Sequence, residues 1–103
     1  MSLKINNKKN LMSLTFSEEM TIYTAQEYRE TILKKFSPEK NIEVDLSTVE
    51  EIDTSGLQLL ASISKELESS GATMNITAMS DVASDAIEMS RLKDDLNCKQ
   101  EES

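Results

Sequence analysis

Asp53-Thr54-Ser55-Gly56-Leu57 is the stretch of this 103-residue chain whose residue types could do chemistry. Two hydroxyls follow a carboxylate and precede a glycine, and a helical pattern of apolar residues begins at Leu57. The spacing predicts Ser55 as the N-cap of a helix, with Gln58 three residues on completing a Ser-x-x-Gln capping box. A hydroxyl held there lies near free backbone N–H groups and the positive end of the helix dipole. A phosphate on Ser55 or Thr54 would be well tolerated in that setting. Plain capping, worth about 1 kcal/mol, accounts for the same serine. Asp45 and Asp53 both fall near this strand–helix connection. They could form a metal or acid–base pair, or act separately as a strand-end carboxylate and a loop-capping residue.

Other chemistry is removed by composition. The chain has no histidine, which excludes Ser-His and Cys-His nucleophile pairs and His-ligated zinc. One cysteine, Cys98, allows no intrachain disulfide. Two glycines make no phosphate-cradling loop. The expectation is therefore no enzyme, no catalytic set, no cofactor and no metal. Nineteen acidic residues against eleven basic give a net charge of −8, which repels phosphate backbones and anionic lipids. A partner with a basic docking surface fits better than nucleic acid. No apolar run reaches the roughly 18 residues of a membrane span, and none of signal-peptide length follows the start. A cytoplasmic protein without membrane insertion is expected.

The elements that must position Ser55 follow from periodicity. Residues 11–16 alternate as a strand, a polar turn follows at Ser17-Glu18-Glu19, and Met20-Thr21-Ile22 offers a second short strand. Thr24 and Glu27 form a capping box, flanked by Tyr23 and Tyr28 at the positions of a hydrophobic staple. The helix so begun runs to about Phe36, burying Ala25, Tyr28, Ile32 and Phe36, and stops at Ser37-Pro38. Residues 41–46 alternate strictly as a strand, and residues 47–51 read as a loop. The next helix runs to about Ser70 with Leu57, Leu59, Leu60, Ile63 and Leu67 on one broad face, and Gly71 stands where a C′ glycine belongs. Residues 73–78 alternate again. A last helix spans 81–92 with Val82, Ala86 and Met89 on one face; Met79 and Met89 are core-edge residues that could also line a partner surface. The order ββαβαβα implies one α/β domain over residues 1–103. Its ordered core covers about 10–92, and the charged tail at 93–103, with Asp94-Asp95 and Glu101-Glu102, frays.

Residues 42–60 resemble the signature of the STAS family, named for sulphate transporters and anti-sigma factor antagonists. In the antagonist branch an apolar-Asp-Leu strand is followed by Asp-Ser-Ser-Gly-Leu opening a helix, and Asp53-Thr54-Ser55-Gly56-Leu57 matches it. The resemblance reaches forward through Ser69-Ser70-Gly71 and residues 74–78, and back to residues 20–25. It implies a mixed four- or five-stranded sheet with about three helices mainly on one face. It also implies a phosphorylated serine directly before the glycine, hence Ser55, with Asp53, Thr54, Ser55, Gly56 and Gln58 as the partner-binding segment. The partners implied are a serine kinase of the anti-sigma factor type and a serine phosphatase. Some members of the family are instead unphosphorylated accessory subunits of a transporter ATPase, and a small-ligand module is a third reading. The chain departs from the family's pattern in three places. Thr54 replaces the first serine, Ser17-Glu18-Glu19 stands where glycine is frequent, and Thr21 stands where sporulation-type antagonists carry an acid. Nothing in the sequence fixes the oligomeric state.

Overall fold

A computed structural model describes residues 3–35, 40–90 and 97–98 of the chain. Its elements are β1 (Leu3–Asn7), β2 (Leu11–Met20), α1 (Ala25–Lys35), β3 (Asn41–Ile52), α2 (Thr54–Glu68), β4 (Met74–Met79), α3 (Asp81–Met89) and β5 (Asn97–Cys98). The sheet has the order β1-β2-β3-β4-β5, with β1 antiparallel to β2 and every later pair parallel. It is thus the expected mixed sheet, four full strands closed at one edge by the two-residue β5.

Parallel neighbours need crossovers, and crossovers are right-handed almost without exception. The strand order never reverses, so each crossover lies on the same face of the sheet as the one before it. Burial agrees. Met12, Leu14 and Phe16 of β2, Ile42, Val44 and Leu46 of β3, and Met74 and Ile76 of β4 alternate inward. They join Tyr28 and Ile32 of α1, the five apolar residues expected of α2, and Ala83 and Ile87 of α3 in one core. Phe16 and Tyr28 meet edge to face, ring centroids 5.4 Å apart. Ser13, Thr15, Glu43, Asp45 and Asn75 alternate onto the other face, where they are half-buried.

Several expectations are corrected. Met20-Thr21-Ile22 is not a strand of its own: Met20 ends β2, and residues 21–24 turn into α1. The first strand is instead Leu3–Asn7, whose Leu3 and Ile5 pair with Phe16 and Leu14 on the core face. Residues 47–51 continue β3 beside the far half of β2, across register shifts near Ser17 and Glu19. Glu18 sits in that irregular stretch at φ 64°. The staple does not form, because Tyr23 is exposed while Tyr28 is buried. The Thr24 hydroxyl accepts from the Thr21 N–H at 3.0 Å, so it serves the turn before the helix. On α3 the core face is Ala83 and Ile87; Val82 and Met89 are exposed. Gly71 does carry the positive φ expected of it, 84°. Phe36 to Pro38 and nearly all of the charged tail lie outside the described residues, Asn97–Cys98 of β5 excepted.

Candidate functional site

Where β3 gives way to α2, the chain must pass from an extended backbone to a helix within one residue. Asp53 is that residue, at φ −124° and ψ −171°. Its Oδ1 accepts the N–H groups of Ser55 at 2.8 Å and Gly56 at 3.3 Å. The N-cap is therefore Asp53 and not Ser55, which lies one residue inside the helix. Both residue types cap well, so the choice is made by what else the site must satisfy.

Two tertiary contacts decide it. The Asp53 backbone N–H donates to the Met20 carbonyl at 3.2 Å, and its Oδ2 accepts the Ile22 N–H at 3.1 Å. One carboxylate thus joins the start of α2 to the turn after β2. Gly56 lies buried beneath that same turn. A Cβ there would stand 2.3 Å from the Met20 carbonyl oxygen and 2.9 Å from Ile52 Cγ1, so only glycine fits without moving backbone.

The turn is braced from the other side. Tyr28 OH and Thr24 Oγ1 both donate to the Glu19 carbonyl, at 2.9 and 3.1 Å. The buried Thr21 donates its hydroxyl to the Glu19 carboxylate. Ile22 and Tyr23 are thereby held outward, 66% and 86% exposed. They are two adjacent members of the five large apolar side chains exposed among the described residues. Sequence reasoning missed them, assigning Ile22 to a strand and Tyr23 to a staple. The signal lay in Thr21 and Thr24, three apart, whose short hydroxyls favour turns over strands.

Asp53, Thr54 and Gln58 are exposed and Ser55 is half-buried, so four of the five segment residues share one surface; Gly56 lies beneath it. Asp45 takes no part: its Oδ1 accepts the Ser47 N–H at 2.8 Å, a local strand contact. Among the described residues no group of three or more His, Cys, Asp or Glu gathers as metal ligands would. From Ser55 a groove of about 470 Å³ opens between α1 and α2, lined also by Ala25, Arg29, Glu30, Leu33 and Gln58. No helix among the described residues is long and apolar enough to cross a membrane.

A family model for the STAS domain matches residues 2–103. No curated protein matches the sequence. Solved structures do match. A candidate anti-sigma factor antagonist from Thermotoga maritima superposes with a TM-score of 0.82 at 20% identity, over 93% of this chain and 84% of its own. The anti-sigma factor antagonist SpoIIAA in its unphosphorylated form gives 0.78 at 14% identity, over 96% of this chain and 89% of its own. The murine anion transporter Slc26a9 gives 0.73 at 16% identity, over 87% of this chain and only 15% of that protein.

Proposed function

The chain belongs to the STAS domain family, and within it we propose that this protein is a phosphorylation-controlled binding switch resembling the anti-sigma factor antagonists. The observation that supports the reading is the strap at Asp53, whose carboxylate accepts the backbone N–H groups of both Ser55 and Ile22 and so ties the start of α2 to the turn bearing the exposed Ile22 and Tyr23. Unphosphorylated, this joined edge docks on a regulatory protein of the anti-sigma, serine-kinase type. Asp53, Thr54, Ser55 and Gln58 give the polar contacts and Ile22 and Tyr23 the apolar ones. Gly56 contributes by letting the edge pack so closely.

The chemistry belongs to the partners, and this chain supplies a substrate hydroxyl. A partner kinase brings ATP, and Ser55 Oγ attacks the γ-phosphorus. The Oγ–P bond forms as the bond to the ADP oxygen breaks, and the hydroxyl proton passes to the kinase's base. A serine phosphatase hydrolyses the ester back to serine and inorganic phosphate. Phosphate adds about −1.5 to −2 charges and bulk in the middle of the docking edge, where steric clash and the cost of desolvating a dianion weaken docking without remodelling the fold.

Two substitutions test this. Because Asp53 and not Ser55 caps α2, Ser55→Ala should keep wild-type stability to within about 0.5 kcal/mol and bind the partner constitutively. Ser55→Asp should also fold, yet lose about a hundredfold in affinity, the effect of a few kcal/mol at a desolvated contact. The partner is the protein that wild type captures from native lysate, and affinity is then measured on purified components. Equal binding by wild type and both variants would sink the switch and assign the chain a constitutive accessory role instead.

A further inference from the structure

A phosphate on Ser55 cannot use the helix N-terminus as a bare helix would offer it. Of the first four amides of α2, those of Ser55 and Gly56 are already held by Asp53 Oδ1 and that of Leu57 by the Asp53 carbonyl. The Asp53 carboxylate beside them is itself anionic and would repel the new charge. Compensation must come from elsewhere on the surface, and one cation is placed to give it. Among the described residues Arg29 of α1 is the only basic one lining the groove that Ser55 also lines. It also lines the adjoining hollow between α1 and α2, so the side chain lies along the helix seam. Arg29 has no hydrogen-bond or ion-pair partner among the described residues. Among the described residues one acid, Glu30, lines that groove and accepts from Gln26 Nε2 at 3.3 Å, while Glu66 lines the adjoining hollow with Arg29.

We infer that Arg29 is the receiving residue for a phosphate carried on Ser55, closing the α1–α2 groove with a guanidinium–phosphate clamp inside the molecule. A guanidinium presents paired N–H donors that match phosphate oxygens, which a lysine at this place would not. The clamp makes release a two-part event. The docking edge gains charge, and the groove beside it is occupied by the protein's own side chains. This rests on the reading of Ser55 as the modified residue.

The test is arranged so that the two ideas fail separately. Phosphoserine is installed at position 55 during translation, by suppression of a stop codon, so no kinase is needed. Phosphorus NMR then follows the second ionisation of the ester in wild type, Arg29→Gln and Arg29→Lys. A nearby guanidinium favours the dianion, so Arg29→Gln should raise this pKa by about one unit, with Arg29→Lys in between. A merely structural role for the exposed Arg29 would not move a phosphate titration, and melting of the unphosphorylated variants should match wild type. Identical titration curves for all three proteins would overturn the clamp. Failure of a cognate kinase to modify Ser55 would overturn the switch and leave this measurement standing.

Discussion

Asp53 performs the capping that spacing alone assigns to Ser55, and the reason is not local. In Asp53-Thr54-Ser55 each side chain can cap a helix, so neighbouring starts of α2 compete on nearly equal terms. The start at Thr54 is selected because it sets Gly56 beneath the Met20 carbonyl and lets the spare Asp53 oxygen reach Ile22. Neither contact can be read from residues 53–58, since both partners lie some thirty positions earlier. That Ser55 falls in the first turn of α2 was legible; that it is half-buried and is not the cap was not. Substitutions separate the two roles. Asp53→Ala should cost about 1–2 kcal/mol as a lost cap, near the upper end because the Ile22 amide is orphaned too. Gly56→Ala should cost about 3 kcal/mol, because the new methyl meets backbone and not a flexible side chain. Urea titrations of both variants measure this, and a Gly56→Ala protein as stable as wild type would mean that the close approach is not real.

The helices were the legible elements and the strands only partly so. In α2 the pattern of Leu57, Leu59, Leu60, Ile63 and Leu67 names the buried face without error. In α3 the pattern is ambiguous, because small and large apolar residues occur on two faces and the sheet chooses between them. Ser80 fixes the choice: its hydroxyl accepts the Ala83 N–H at 3.1 Å, starting the helix with Ala83 and Ile87 against the core. Ile87→Ala should therefore lower stability by about 2–4 kcal/mol through lost packing. Met89→Ala should change it by no more than about 0.5 kcal/mol, since that side chain is 87% exposed. Comparable losses for both, in thermal melts, would return the core face to Met89. The strand ends failed for a different reason. Past Leu46, Ser47, Thr48, Glu50 and Glu51 are exposed and only Val49 and the half-buried Ile52 turn to the core, three apart and no longer alternating. Hydrogen bonding to β2 continues where the hydrophobic pattern has stopped, and pattern was all the sequence had to offer.

At the scale of the whole molecule, one helical layer covers one side of an open sheet. Without a reversal of strand order there is no crevice of the kind where doubly wound sheets bind their ligands. Net charge acts at this scale as well. With −8 on so small a body, encounter with a basic partner should be electrostatically steered. The association rate should fall by about tenfold or more between 20 and 500 mM salt, with a smaller change in dissociation. Stopped-flow mixing measures both, and an association rate indifferent to salt would rule out a basic docking surface. The strand order has a further consequence, during synthesis. Each strand from β2 onward is laid beside the one translated just before it, so every newcomer finds its mate already made. The same is true of the Ser55 loop, whose supports at Met20 and Ile22 leave the ribosome some thirty residues ahead of it. The growing chain can therefore build this domain in the order in which it is read, finishing the Ser55 turn and its supports before α3 exists.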